Sequence, residues 1–248
     1  MAGLKIKKLC KSFDIKGTKV SALNNINLLI EDESFVTIVG KSGCGKTTLL
    51  RIICGLENQT EGNISSIYSD GKLKGNNSKK KVGIVFQEPR LMPWLTVEQN
   101  MAFPLIKNGN RQEVYDVVHK YLNMLGLEKF KEAYPSQISG GMAQRVSLGR
   151  TLCYNPEIIL MDEPLGALDA FNRRKLQREF INIFLENKKT IVFVTHDVDE
   201  AIYLGQKIVV MDRGHIIKEQ IVDMDYYRDS SSNKFLEIKR SLLKEFLI

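Results

Sequence analysis

Long apolar runs are missing from this sequence. An α-helix needs about 20 mainly apolar residues to cross a bilayer, whereas the longest apolar runs, such as 190–194 and 208–211, have the length of strands. Residues 1–8 include three lysines and lack the apolar centre of a signal peptide. We therefore expect a protein that is made and kept in the cytoplasm.

Cysteine is also scarce, and charge of one sign is only weakly in excess. The four cysteines, at positions 10, 44, 54 and 153, form no Cys-x-x-Cys pair, which argues against a zinc site and is typical of a reducing compartment. The formal net charge of +7 is modest, and the basic residues form no long patch. We interpret the strongest basic cluster, 79–81, as a solvated turn and expect no nucleic-acid partner.

What the sequence does contain is an alternation of apolar strands and helical segments. A chain of 248 residues that is 43% hydrophobic can build one large α/β core. Strands are predicted at 4–30 (with a turn at 14–17), 35–39, 61–67, 82–86, 157–161, 190–194 and 207–211, a loop at 69–78, and helices at 98–127, at 170–185 and after 230–232. This alternation predicts a mostly parallel sheet. We expect the last helix to pack on its own domain rather than on a membrane.

A glycine-rich turn joins the predicted strand 35–39 to a helix. The turn, Gly40-Lys41-Ser42-Gly43-Cys44-Gly45-Lys46-Thr47-Thr48, matches G-x-x-x-x-G-K-[ST]. Its glycines let backbone N–H groups face a phosphate chain, and the helix N-terminus favours an anion. Lys46 can reach the β- and γ-phosphates, and the Thr47 hydroxyl can ligate Mg²⁺. Since strand, turn and helix together confirm the motif, we predict that the chain binds a nucleoside triphosphate.

Two carboxylates, Asp162 and Glu163, follow the predicted strand 157–161. In phosphate-loop proteins an Asp at the end of a neighbouring strand holds Mg²⁺. Glu163 is placed to orient and deprotonate a water that attacks the γ-phosphate. A solvated strand end also carries such residues, so the assignment depends on the phosphate loop.

A second helix N-terminus suited to an anion is predicted at Ser139-Gly140-Gly141, ahead of an apolar helical pattern. One nucleotide needs only one phosphate cradle. A second cradle, far along the chain, therefore indicates a site that is completed by another copy. An ordinary serine-capped helix explains this stretch equally well.

The order of these motifs resembles that of the ATP-binding subunits of ATP-binding cassette (ABC) transporters, over nearly the whole chain. The matching segments are the phosphate loop, Gln87, the signature stretch 138–144, Asp162-Glu163, the turn 166–169 and His196. Segments 85–97, 161–169 and 195–201 resemble the branch of nitrate, sulfonate and taurine importers. The resemblance implies a P-loop NTPase fold, with a RecA-like, mostly parallel α/β core, an N-terminal antiparallel β-subdomain and an inserted α-helical subdomain. One domain, 1–248, would consist of a core at 1–87 and 157–248 and a helical subdomain at 88–156.

The resemblance also implies roles for single residues. The catalytic residues would be Glu163, His196, Gln87 and Lys46, and the Mg²⁺ ligands would be Thr47, Gln87 and Asp162. The residues that bind ATP would be Phe13, Gly40, Lys41, Ser42, Gly43, Cys44, Gly45, Lys46, Thr47, Thr48, Ser139, Gly140, Gly141, Met142 and Asp169. Phe13 would stack on adenine, although a place in the core of the first sheet is an alternative. Ser139–Gly141 would bind the γ-phosphate of ATP held by the opposite subunit.

The resemblance implies partners as well: a second copy of the chain in an ATP-sandwich homodimer, integral membrane permease subunits, and indirectly an extracytoplasmic solute-binding protein. The chain would then sit at the cytoplasmic face of the cell membrane and hydrolyse ATP to energise import of a small solute. An exporter subunit, or a soluble ABC ATPase outside transport, is the alternative. Segment 91–95, shortly after Gln87, is mainly apolar, and we expect it to line a groove that binds a short helix of the permease. Packing of Trp94 within the helical subdomain is the alternative explanation.

Overall fold

The computed structural model describes residues 2–68, 73–74, 81–106, 110–166 and 168–246. One of its two sheets is antiparallel. Its strands, in spatial order, are β2 (Thr18–Ile30), β1 (Ala2–Ile15), β4 (Glu61–Tyr68) and β5 (Leu73–Lys74). The turn between β1 and β2 lies within the predicted segment 14–17, so the antiparallel β-sheet near the N-terminus is confirmed. The predicted loop 69–78 lies outside the described residues except for β5.

The other sheet is mostly parallel, as predicted. Its order is β10 (His215–Ile221), β9 (Lys207–Asp212), β3 (Phe35–Gly40), β8 (Thr190–Thr195), β7 (Ile158–Asp162) and β6 (Val82–Val85). Only the β9–β10 pair is antiparallel among the described pairs of this sheet. Strands β3 and β8 are buried at every residue, as expected of parallel strands that are covered on both faces.

The helices connect and cover these strands. They are α1 (Lys46–Ile53), α2 (Val97–Ala102), α3 (Arg111–Met124), α4 (Gly140–Cys153), α5 (Ala170–Asn187), α6 (Val198–Leu204) and α7 (Asn233–Leu243). Single 3₁₀ turns occur at Phe103–Leu105, Glu128–Phe130, Pro135–Gln137 and Lys244–Phe246. The predicted helical region 98–127 therefore corresponds to α2, α3 and the 3₁₀ turn Phe103–Leu105. Gly126, at φ 66°, follows the C-cap residue of α3 in the left-handed conformation that glycine often adopts after a helix.

Helices α2, α3 and α4 lie between β6 and β7 along the chain. Their buried residues, such as Met101, Leu122 and Leu148, belong to one apolar cluster that also contains Phe35 and Phe193 of the parallel sheet. The insertion of helices at this point follows the prediction, while the exact boundaries 88 and 156 stay a prediction.

The last helix packs on its own domain. The Ser232 hydroxyl accepts the backbone N–H of Phe235 and so caps α7. Phe235 and Leu242 are almost completely buried, in a cluster with Ile202 and Val210. This confirms the expectation for the C-terminal helix.

The parallel arrangement positions the site. Strands β3, β8, β7 and β6 run in one direction, so their carboxyl ends meet at one edge of the sheet. The phosphate loop, the His196 turn, the two carboxylates and Gln87 each follow the end of one of these strands. Four segments that are distant in sequence are thereby brought to the same edge.

Candidate nucleotide-binding site

The phosphate loop turns back sharply between β3 and α1. Gly43 and Gly45 have φ of 78° and 106°, in the left-handed region that favours glycine. At Gly45 a Cβ atom would lie 2.5 Å from the Ala22 carbonyl oxygen, so no other residue fits there without a shift. A cavity of about 340 Å³ opens at this turn. It is lined by Ala22, Ser42, Gly43, Gly45, Lys46, Thr47, Thr48, Gln87 and Glu163.

Lys46 places a buried positive charge in this cavity. Its side chain is 4% exposed, and Nζ lies 3.7 Å from Oε1 of Glu163. The same ammonium donates hydrogen bonds to the carbonyl oxygens of Gly40 at 2.8 Å and Lys41 at 3.0 Å. Buried charge held this way is suited to a phosphate group.

Two oxygen ligands lie side by side, one on Thr47 in the cavity lining and one on Asp162 next to it. Thr47 Oγ1 donates a hydrogen bond to Asp162 Oδ1 at 2.9 Å. Burial raises the pKa of Asp162, and the hydrogen bond from Thr47 opposes that effect. A hydroxyl and a carboxylate are the hard ligands that Mg²⁺ prefers, and a cation beside Asp162 would stabilise its ionised form. Thr47 and Asp162 therefore fit a magnesium ion, and the Gln87 side chain lines the same cavity.

Glu163 is held between a lysine and a histidine. Its Oε2 lies 2.9 Å from Nδ1 of His196, and its backbone N–H donates to the carbonyl of Val194 at 3.0 Å. Its φ of 45° is unusual for a residue other than glycine and costs about 1–2 kcal/mol. Backbone strain of this kind clusters at functional sites. A carboxylate with a histidine and a lysine beside it can accept a proton from an attacking water.

Helix α4 fixes the segment that carries Gln87. The buried Gln144 side chain donates to the carbonyl of Phe86 at 3.0 Å. Arg150 donates to the carbonyls of Pro89 and Arg90, each at 3.0 Å. The sequence did not predict these contacts. The signal available for Gln144 was its place as the last residue of the signature stretch 138–144.

The signature turn is not part of this cavity in a single chain. The Ser139 hydroxyl accepts the Met142 backbone N–H at 3.3 Å and caps α4. Among the described residues, those that line the phosphate-loop cavity do not include Ser139, Gly140 or Gly141. A Cβ atom at Gly140 would meet nothing within 4 Å, so the turn faces open space at this residue, whereas a Cβ atom at Gly141 would lie 3.6 Å from the Leu168 side chain. The partly buried Met142 side chain packs against the apolar cluster, and its backbone N–H already bonds the Ser139 hydroxyl, so the single chain offers neither to a ligand.

Seven further predicted residues are not part of the cavity lining. Four of them contact residues that line it, through the hydrogen bonds described above: Gly40, Lys41, Asp162 and His196. The other three are Phe13, Asp169 and Cys44. Phe13 is half-buried rather than in the core, and Lys11 Nζ lies 4.7 Å from its ring centroid. Asp169 caps α5 and accepts backbone N–H groups from Phe171 and Asn172, each at 3.0 Å; the Asn172 N–H is the main reason why its pKa is lowered. The Cys44 side chain is 4% exposed and packs into the core, so only its backbone can face a phosphate.

Comparison with known proteins agrees with this geometry. The family model described as ABC transporter matches residues 23–166. The chain belongs to the ABC transporter family. It is an ATP-binding subunit of that family, and an ATPase.

Relatives within the family match along nearly the whole chain. An uncharacterised ABC transporter ATP-binding protein of Methanocaldococcus jannaschii is 48% identical, over 97% of this chain and 90% of its own. The aliphatic sulfonates import ATP-binding protein SsuB of Bacillus cereus is 45% identical, over 97% of this chain and 94% of its own. The nitrate import ATP-binding protein NrtD of Synechocystis sp. is 40% identical, over 96% of this chain and 89% of its own.

A solved structure shares the fold. The dimeric post-hydrolysis state of the ATP-binding cassette MJ0796, bound to ADP and Pi, superposes with a TM-score of 0.78. It is 35% identical and covers 90% of this chain and 100% of that chain. The predicted P-loop NTPase fold of an ABC ATPase is confirmed.

Proposed function

We propose that this ABC ATPase energises import of a small anion of the sulfonate or nitrate class through separate permease subunits. The observation that carries the proposal is the cluster of Lys46, Glu163 and His196 at the carboxyl edge of the parallel sheet, in a chain whose relatives include sulfonate and nitrate import ATPases. No feature of the described residues favours an exporter over an importer, and the names of the relatives favour the importer.

The chemistry assigned to the residues is hydrolysis of the bond between the β- and γ-phosphates. Lys46 and the backbone N–H groups of the phosphate loop would bind the phosphates, and Phe13 would stack on the adenine. Glu163 would take a proton from the attacking water while the γ-phosphoryl group leaves ADP as inorganic phosphate. His196, bonded to the same carboxylate, would hold Glu163 towards that water. Mg²⁺ held by Thr47, Asp162 and Gln87 would neutralise charge on the phosphate oxygens.

The complete site would need a second copy of the chain. Because Ser139 and Gly140 are exposed and the turn is not part of the lining of its own phosphate-loop cavity, the N-terminus of α4 would be available to ATP on a partner. The dimeric form of the MJ0796 cassette supports this arrangement. Asp169 would lie at the dimer seam, and ATP bound across both halves would close the dimer.

Membrane partners follow from the same proposal. No helix among the described residues is long and apolar enough to pass through a bilayer. Because relatives are named as import ATP-binding proteins, the chain would act from the cytoplasmic face of the membrane, through permease subunits, with solute supplied by an extracytoplasmic binding protein. The exposed Trp94 supports segment 91–95 as the permease contact.

The catalytic assignment is tested by Glu163→Gln. Removal of the base should lower turnover roughly 100-fold or more, while ATP affinity stays near that of the wild type because Lys46 and the loop are intact. Steady-state phosphate release and equilibrium binding of a fluorescent ATP analogue measure the two quantities. The control is Glu186→Gln at an exposed position of α5, which should match the wild type. Turnover at the wild-type rate in Glu163→Gln would reject Glu163 as the base.

The proposed substrate class is tested by transport. The chain would be co-expressed with the permease and binding protein encoded beside it, purified, and reconstituted in vesicles with ATP enclosed on the ATPase side. Uptake of labelled taurine, an alkanesulfonate or nitrate should depend on ATP and be lost with Glu163→Gln. ATP-dependent release of solute without uptake would reject the importer function in favour of the exporter function.

A further inference from the structure

The turn that carries His196 is held from behind by a small polar network. The Thr195 hydroxyl donates to Glu200 Oε2 at 2.7 Å and accepts the Asp197 backbone N–H at 3.0 Å. Asp197 caps α6 by accepting the backbone N–H groups of Asp199 and Glu200. The His196 side chain itself is 62% exposed. The residues on either side of His196, rather than packing around its ring, therefore fix its position.

Glu200 is the buried member of this network. It is 6% exposed, and burial is the main cause of its raised pKa. Attraction to Arg173 opposes that effect, with Nε of Arg173 3.5 Å from Glu200 Oε1. A buried carboxylate is costly without a cation, so the arginine stabilises the charged state of Glu200.

Arg173 reaches two turns at once. It lies in the first turn of α5, where Nη1 is 3.9 Å from Asp197 Oδ2 and Nη2 donates to the Leu168 carbonyl at 3.1 Å. Leu168 directly precedes Asp169, the residue expected at the dimer seam. Since a guanidinium is planar and its donors point in fixed directions, it can hold both turns in one relative position.

We propose that Arg173 is a positioning residue for ATP hydrolysis, which ties the His196 turn to the Asp169 turn. The role rests on the proposed function, because Arg173 acts through His196 and the Glu163 carboxylate and does not itself contact the nucleotide. In a dimer, contacts made by Asp169 at the seam would then be transmitted through Arg173 to the histidine that orients the base.

The test compares Arg173→Gln with Arg174→Gln, a change at the exposed neighbour on α5. In Arg173→Gln the misplaced His196 should lower kcat roughly 10- to 100-fold. ATP affinity, measured by equilibrium binding of a fluorescent analogue, should stay within about twofold of the wild type. Arg173→Lys should restore part of kcat, since one ammonium can serve one of the two turns. Arg174→Gln should leave both quantities unchanged.

Glu200→Gln gives an independent reading if Arg173→Gln does not fold. Its amide oxygen still accepts the Thr195 hydroxyl but loses the attraction to Arg173, so kcat should again fall while ATP binding persists. Wild-type kcat in Arg173→Gln, or an equal loss of kcat and ATP affinity in that variant, overturns the positioning role. If Arg173→Gln does not fold, wild-type kcat in both Arg173→Lys and Glu200→Gln overturns the role instead. A wild-type chain that hydrolyses no ATP overturns the proposed function as well, whereas an active wild type with an equally active Arg173→Gln overturns this role alone.

Discussion

Cys44 lies within the phosphate loop, yet its thiol belongs to the core. Its side chain is 4% exposed, and burial raises the pKa of the thiol. A higher pKa leaves less thiolate at pH 7.5, and thiolate is the form that reacts with alkylating reagents. Its position in the phosphate loop predicts a thiol that alkylating reagents reach and that ATP protects, whereas the structure buries that thiol.

Labelling of the four cysteines tests this placement. At pH 7.5 we expect the half-buried Cys10 to react first, and Cys44 and the buried Cys153 to react at least roughly tenfold more slowly, with or without ATP. Burial raises the pKa of Cys153 to about 12, which reinforces its inertness. Mass spectrometry of iodoacetamide adducts against time measures the rates. All four should react together in guanidinium, and fast, ATP-sensitive labelling of Cys44 in the folded chain would contradict its burial.

At the site, the positions of the motif residues could be predicted from their fixed spacing to a strand end, while their chemical roles stay predictions. Lys46 and Thr47 open the helix after the phosphate loop, Asp162 ends β7 and Glu163 follows it, so local motifs predict their locations. Arg173 was not predicted, because its proposed role arises from contacts with Asp197 and Glu200, which follow β8 and are distant in sequence. Nothing in the local pattern of α5 distinguishes it from its exposed neighbour.

At the scale of elements, the long buried strands were predictable, whereas the edge strand β10 was not. Strands β3, β7 and β8 consist mainly of buried apolar residues over a short stretch. This pattern is typical of strands in the interior of a parallel sheet. The edge strand β10 alternates exposed and half-buried residues and contains His215, Lys218 and Glu219, so its composition is typical of surface. The missed signal was Gly214, at φ 79°, in the tight turn between β9 and β10.

The pairing of β1 with β4 depends on one glycine. Gly62 has φ 88°, and a Cβ atom there would lie 2.6 Å from Leu9 Cα and also clash with the Lys8 carbonyl oxygen. Both are backbone atoms, which cannot rotate away, and β1 has a register shift at this point. Gly62→Ala should therefore lower the free energy of unfolding by about 3 kcal/mol or more.

Gly17→Ala is the matched control. Gly17 also has a left-handed φ, of 81°, but a Cβ atom there would meet nothing within 4 Å. The cost should be about 1–2 kcal/mol, from the backbone conformation alone. Chemical denaturation followed by circular dichroism compares the two. Equal losses would mean that the close approach of β1 to β4 does not constrain Gly62.

At the scale of the whole molecule, an exposed tryptophan indicates a contact with another protein. Trp94 is 72% exposed, which excludes it from the core of the helical region. Further along, Phe103 and Ile106 are 50% and 66% exposed. Large aromatic side chains at the surface are frequent anchors of interfaces.

Trp94→Ala should therefore uncouple transport from hydrolysis. We expect ATP-dependent solute uptake by the reconstituted transporter to fall about tenfold or more, because an interface anchor of this size contributes about 2 kcal/mol. ATPase activity of the isolated chain should be unchanged, since Trp94 lies outside the phosphate-loop cavity. Leu56→Ala, at another exposed apolar position, serves as the control for lost surface area. Normal uptake by the Trp94→Ala transporter would reject the proposal that segment 91–95 contacts the permease.

The proposed ATP-sandwich dimer would require glycine at position 140, although the single chain does not. A Cβ atom at Gly140 meets nothing in the chain itself, so Gly140→Leu should leave the thermal midpoint and ATP binding by the monomer nearly unchanged. In a dimer the same side chain would occupy the space of the partner's γ-phosphate. In a Glu163→Gln background, where ATP persists, Gly140→Leu should weaken ATP-dependent dimerisation at least roughly tenfold, the equivalent of about 1.4 kcal/mol. Sedimentation velocity with ATP measures the dimer, with Glu186→Leu in the same background as control. ATP-dependent dimers of normal affinity in Gly140→Leu would mean that the signature turn closes no site on a second chain.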